Sequence, residues 1–145
     1  MIVRKASKEN AEALLALICE LAHYERLEPP SEEAKERLKK DLGVRYEAFL
    51  AFDGEEALGY AMFYYTYSSF LAKPTFYLED IFVLEEHRKE GVGRALFERC
   101  VEEAKSAGCG RVDFVVLKWN KSAQLFYERH GARAMDDWTL YRIDL

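Results

Sequence analysis

A mixed α/β domain, with helices on both faces of a largely antiparallel sheet, is the fold that this 145-residue sequence predicts. Three observations carry that expectation. Apolar residues recur with helical spacing in some stretches and with strand alternation in others, so both element types are present. Asp53-Gly54 stands between two alternating apolar runs, a strong signal for an antiparallel hairpin. From Thr75 to Leu117 a strand, a glycine-bearing turn, a helix and a second strand follow one another, the pattern of a right-handed parallel crossover.

Ile2 to Ala6 reads as a short strand, and Ser7 can cap a helix in which Ala11, Leu14, Leu15, Ile18, Leu21 and Ala22 recur at helical spacing. Pro29-Pro30 stops that helix, and Ser31 starts another that ends at Gly43. Glu47 to Phe52 and Ala57 to Tyr67 flank the hairpin turn. Thr75 to Leu84 is the next strand, followed by a helix to about Ala107 that Gly108 closes. Arg111 to Leu117 is valine-rich and reads as a strand, while Asn120 caps a helix ending at Gly131. Two final strands are expected at about 132–135 and 138–143. The order is β-α-α-β-β-β-α-β-α-β-β, without repeats or linkers.

Half of the residues are hydrophobic, which suits one domain spanning 1–145 and burying roughly 68–70% of its unfolded surface. No apolar run reaches the roughly 18 residues that span a bilayer, and Met1-Ile2-Val3-Arg4-Lys5 is unlike a secretory leader. Cys19, Cys100 and Cys109 are odd in number and lack C-x-x-C spacing, as expected of free thiols in a reducing compartment. The expected location is therefore cytoplasmic. A net charge of −5 argues against nucleic acid as a partner. His23, His87 and His130 are scattered without ligand spacing, which argues against a metal.

The charge is uneven. Glu20, Glu25, Glu28, Glu32, Glu33 and Glu36 face only Arg26 and Lys35, whereas Arg88, Lys89, Arg94 and Arg99 outnumber Glu90 and Glu98. Arg88-Lys89-Glu90-Gly91-Val92-Gly93-Arg94 opens a helix immediately after a strand. First-turn N–H groups lack intrahelical partners, and the helix dipole adds roughly half a positive charge there. Glycines let an anion approach the backbone. The spacing Arg-x-x-Gly-x-Gly is neither the Gly-Lys-Ser/Thr phosphate loop nor the dinucleotide Gly-x-Gly-x-x-Gly.

That spacing resembles the pyrophosphate loop of GCN5-related N-acetyltransferases. Tyr77-Leu78-Glu79-Asp80-Ile81-Phe82-Val83, Trp119-Asn120, Phe126-Tyr127-Glu128-Arg129-His130-Gly131-Ala132 and Glu20-Leu21-Ala22-His23-Tyr24-Glu25 together resemble the spermidine/spermine (diamine) branch, over essentially the whole chain. The resemblance implies a twisted sheet whose central parallel strands, here Tyr77–Val83 and Val112–Leu117, splay to admit the pantetheine arm of acetyl-CoA. Backbone groups of Ile81, Phe82 and Val83 would meet thioester and arm. Arg88 heads the loop whose amides, at Lys89, Glu90, Gly91, Val92, Gly93 and Arg94, would cradle pyrophosphate, with Glu90 turned away from it. Asn120 would contact the cofactor, Tyr127 would act as the acid toward the leaving sulfur, and Tyr24 and Glu25 would contact the acceptor. Asp136 and Asp137 fall where the family offers a further acidic contact. A homodimer is expected on the same ground.

Amine acetylation requires carboxylates. A free alkylamine near pKa 10.4 is neutral in only about 1 part in 2,500 at pH 7, a deficit near 4.6 kcal/mol, and only the neutral form attacks a thioester. Glu79 is expected to bind the acceptor and take its proton, with Asp80 as a second contact. Adjacent residues of a regular strand point to opposite faces, so one of the pair can face the acceptor groove while the other faces the opposite layer or a loop. Tyr60 and Tyr64 fall on one face and Tyr65 and Tyr67 on the other, and one set can wall that groove. The expected reaction is direct acetyl transfer to a primary amine of a polyamine or diamine. Thialysine- or lysine-like amino acids are the alternative acceptor, with Arg26 or His23 to meet the carboxylate. A non-catalytic acetyl-CoA-binding module and a protein N-terminal acetyltransferase are the readings of other kinds.

Overall fold

The computed structural model describes residues 1–145, and the chain divides into two compact units, Met1–Phe114 and Val115–Leu145. The first holds strands β1 (Ile2–Lys5), β2 (Glu47–Asp53), β3 (Glu56–Ser68), β4 (Lys73–Val83) and β5 (Arg111–Asp113), with helices α1 (Ala11–Glu25), α2 (Glu32–Asp41) and α3 (Val92–Ser106). The second holds α4 (Lys121–Arg129). Strand order is β1-β2-β3-β4-β5; the first three pairings are antiparallel and β4–β5 is parallel. This is the expected mixed sheet. No helix is long and apolar enough to cross a membrane.

Helix ends follow local chemistry. Ser7 N–H donates to Asn10 Oδ1 (2.9 Å), so a short turn at 8–10 precedes α1 rather than Ser7 capping it directly. α1 ends before the prolines: Arg26 adopts φ +60, and Leu27 N–H reaches back to Ala22 O (2.9 Å). Ser31 Oγ caps α2 by accepting from Ala34 N–H (3.1 Å).

α1 packs Ala11, Leu14 and Leu17 against Ala48, Leu50 and Phe52 of β2, Tyr60 of β3 and Phe82 of β4. α3 contacts β2, β3 and β4 through its buried stripe, which includes Val92, Leu96, Phe97 and Cys100, and Arg99 stacks on Phe49 at 4.4 Å. Phe49, Phe63 and Phe76 stack in sequence, at 5.0 and 4.4 Å, beneath that helix. β3 and β4 approach closely at their functional end. A Cβ on Gly59 would lie 2.5 Å from the Phe82 carbonyl oxygen, so only glycine permits the Gly59–Val83 pairing.

One buried hydroxyl, Thr75 Oγ1, has no hydrogen-bond partner, although Thr75 is only 1% exposed. An unpaired buried hydroxyl costs stability that an isosteric apolar group does not. Thr75→Val is therefore expected to stabilise the protein by about 1 kcal/mol, raising Tm by about 2–4 °C. Thermal melts of the two proteins check this; a lower Tm would show that the hydroxyl is useful.

In the second unit Asn120 Oδ1 caps α4 by accepting from Ala123 N–H (3.2 Å), and Gln124 Nε2 ties the helix to the carbonyls of Leu117 and Lys118. The helix closes at Gly131, φ +91. The strand expected to reach Leu117 stops at Asp113, and the strands expected at 132–135 and 138–143 are not formed. Ala132 N–H reaches back to Tyr127 O (3.0 Å), and Trp138 N–H closes a turn onto Met135 O (3.2 Å). Residue preference alone does not make a strand; it needs a partner ladder, and a two-stranded hairpin is marginal by itself.

Candidate active site

The β3–β4 ladder slips between Met62 and Phe63: Met62 pairs with Asp80 and Phe63 with Leu78, leaving Glu79 as an extra residue in β4. This is a β-bulge, which re-aims every side chain after it. Strict alternation would put Asp80 on the face opposite Glu79. Instead both carboxylates reach the face of β3 that carries Tyr60 and Tyr64. Tyr60 Oη donates to Asp80 Oδ2 (3.0 Å) and Tyr64 Oη donates to Glu79 Oε2 (2.9 Å). Tyr77 stacks on Tyr64 at 5.2 Å and extends the aromatic wall. The bulge thus breaks the alternation that a regular strand would give Glu79 and Asp80. Tyr60 and Tyr64 gain a defined role that the tyrosine stripe alone did not specify.

The electrostatics follow from burial. Desolvation raises the Asp80 carboxyl to about 6; the Tyr60 bond pulls against it, and the charges of Glu79 and Glu25 add to it. Glu25, half-buried at the end of α1, is also raised by desolvation. The Tyr60 and Tyr64 phenols are raised by burial first and by neighbouring carboxylates second, so both stay protonated donors. α1 thus brings Glu25 into the electrostatic neighbourhood of β4. A site of several acids and phenols attracts a cation and can hold its proton.

The loop after β4 turns backbone N–H groups toward open space. The β4–β5 ladder ends at Tyr77–Asp113 while β4 runs on to Val83, past the last β5 pairing. Lys89 and Gly91 take φ of +67 and +86, turning the chain into α3, whose first intrahelical bond is Ala95 N–H to Gly91 O (3.0 Å). The N–H groups of Val92, Gly93 and Arg94 therefore have no intrahelical acceptor. A Cβ on Gly91 would meet nothing within 4 Å, so the space in front of it is open. These features fit a diphosphate. Glu90 is held by His87, whose Nδ1 lies 3.3 Å from Glu90 Oε2 and whose Nε2 lies 3.6 Å from Glu56 Oε1. Burial opposes charge on His87, but Glu90 and Glu56 outweigh it and raise its pKa.

Tyr127 lies half-buried on α4 with its ring edge-on to Phe126 (5.4 Å, 74°), and Asn120 is the helix cap. Asp136 and Asp137 sit in an exposed turn of the same unit.

Comparison with known proteins agrees with this architecture. The acetyltransferase (GNAT) family model matches residues 11–132. The chain is 31% identical, over 94% of its length and 87% of the relative, to a thialysine N-epsilon-acetyltransferase of Caenorhabditis elegans. It is 42% identical, over 59% of its length and 37% of the relative, to an L-ornithine N5-acetyltransferase of Arabidopsis thaliana. A crystal structure of a probable acetyltransferase superposes with a TM-score of 0.88 at 26% identity, covering 100% of this chain and 98% of that one. A sheet with a parallel β4–β5 pair, a bulge that gathers two carboxylates, a glycine-bearing helix start and a family match across 11–132 place the chain in the GNAT family of N-acetyltransferases.

Proposed function

We propose that the chain transfers acetyl from acetyl-CoA to the primary amine of a small cationic acceptor. The observation that carries this reading is the bulge at Glu79, which sets Glu79 and Asp80 on one tyrosine-lined face. Acetyl-CoA supplies an activated acetyl thioester. Val92, Gly93 and Arg94 N–H groups would hold its diphosphate with the loop from Arg88 to Gly91, and the edge of Ile81, Phe82 and Val83 would line its arm; Asn120 would add a contact. Glu79, Asp80 and Glu25 bind the ammonium, with Tyr24 beside them. Glu79 or Asp80, the latter raised to about 6 and so ionised at neutral pH, accepts the proton at a carboxylate oxygen. By the family resemblance, Tyr127 would give a proton from Oη to the departing CoA thiolate, and Asp136 would add an acidic contact.

A basic amino acid bearing a side-chain amine, of the thialysine or ornithine kind, is the acceptor that the relatives favour. A polyamine is the second reading, favoured by the excess of acids from Glu20 to Glu36 and by the absence of an ion pair between Glu25, Glu79 or Asp80 and any cationic side chain. An acetylation screen over thialysine, lysine, ornithine, putrescine, spermidine and spermine tests both. Product from the amino acids alone selects the first reading, and product from putrescine and spermidine selects the second. CoA binding with no product from any amine would favour a non-catalytic module.

Gly91→Val tests the loop. A β-branched residue resists φ +86 and fills the open space, so the CoA Kd is expected to rise at least about tenfold. Calorimetric titration reads this directly; an unchanged Kd would move the diphosphate elsewhere.

A further inference from the structure

The arginine that opens the loop does not simply point toward it. Arg88 Nε donates to the Val83 carbonyl (3.0 Å), and its guanidinium lies 4.6 Å from the centre of the Tyr24 ring and 5.4 Å from that of Phe82. Tyr24 and Phe82 are themselves 6.2 Å apart, so the cation bridges two aromatic rings from different elements. One ring belongs to the last turn of α1, next to Glu25, whose charge is felt at Asp80 and Tyr60. The other belongs to the end of β4. The chain between is pinned at Leu84 N–H to Leu58 O, His87 N–H to Leu84 O and Arg88 N–H to Glu85 O, and it leads directly to Lys89 and Gly91. One side chain therefore touches both the helix that carries an acceptor carboxylate and the strand end that leads into the phosphate loop.

We infer that Arg88 is a positioning residue that ties the acceptor end of α1 to the cofactor loop, so that the affinities for acceptor and cofactor are set together. This rests on the acetyltransferase reading of the loop. The Arg88 guanidinium reaches two rings at once while its Nε–H donates to the Val83 carbonyl, a set of contacts that a broad planar fork spans and a compact ammonium does not. A phosphate ligand acting through charge would tolerate lysine; a strut would not. A strut also makes Tyr24, which lies on α1 and outside the loop, matter to cofactor binding.

The test is calorimetric titration of CoA into the full chain and its Arg88→Lys, Arg88→Met, Tyr24→Leu, Tyr24→Phe and Tyr24→Leu/Arg88→Met variants, with acceptor KM and kcat measured on each. Circular dichroism confirms the fold of each variant. Arg88→Lys is expected to weaken CoA about tenfold, as much as Arg88→Met, and to raise acceptor KM more than it lowers kcat. Tyr24→Leu is expected to weaken CoA about fivefold, Tyr24→Phe to weaken it less because the ring face remains, and the double variant to be no worse than Arg88→Met alone. Wild-type CoA affinity in Arg88→Lys or in Tyr24→Leu overturns the strut. A wild-type chain that binds no CoA overturns the reading of the loop itself, a result distinct from either.

Discussion

Tyr127→Phe is expected to lower kcat by about 10²-fold while leaving the CoA Kd within about twofold of wild type. The phenylalanine keeps the ring and its edge-on packing against Phe126 and removes the hydroxyl. Departure of a thiolate with a pKa near 8.5 is helped by a proton donor, which is the contribution removed. Steady-state kinetics alongside calorimetry separates the two quantities. Wild-type turnover would remove Tyr127 as the acid, and a lost CoA affinity would make it a binding residue instead.

Asp80→Asn carries the second large effect, and its pH dependence identifies the cause. With the carboxyl raised to about 6, wild-type activity should climb through an acid limb near pH 6 as Asp80 ionises. The variant should lose about 10²-fold in kcat/KM at pH 7 and show no such limb. Glu79→Gln, which removes the partner carboxylate, should be most defective at neutral pH and recover in part in alkali, where the amine is already neutral. Profiles of kcat/KM from pH 5 to 10 decide between the two. A limb that survives Asp80→Asn belongs to another group, and a Glu79→Gln defect constant across pH would count against proton removal at Glu79.

Stability supplies an independent readout for the same residue. A carboxyl whose folded pKa is raised from 3.8 to about 6 favours the folded state fully below pH 4, and that contribution is lost as pH rises through 6. Wild type and Asp80→Asn should therefore melt alike near pH 4. Above pH 6 the variant should be more stable by about 2–3 kcal/mol, because asparagine still accepts from Tyr60 without a buried charge. A gap that stayed constant with pH would show that the carboxylate is not desolvated. Together the expected profiles would express a common compromise, a buried acid held at a cost to the fold.

The same residues show how far the chain is legible before it folds. The order of elements, the Asp53-Gly54 hairpin, the crossover from β4 through α3 to β5 and the anion-ready loop all follow from spacing and turn chemistry, which are local. Glu79, Asp80, Tyr24 and Glu25 were each identifiable as candidate acceptor contacts, and the side of β3 bearing Tyr60 and Tyr64 followed from alternation. The strands expected beyond Gly131 did not follow, because β preference is realised only against a partner.

Sequence alone therefore determined the order of the elements and where along the chain the candidate site residues lie, since hydrophobic period, capping and glycine placement act over a few residues. Tertiary structure decided which face each group meets. The extra residue at Glu79 exists only in the pairing of β4 with β3, and it swings Asp80 beneath Tyr60. Arg88 finds Tyr24 only once α1 packs against the sheet. Register and long-range side-chain contacts depend on residues distant in the chain, and no local pattern encodes them.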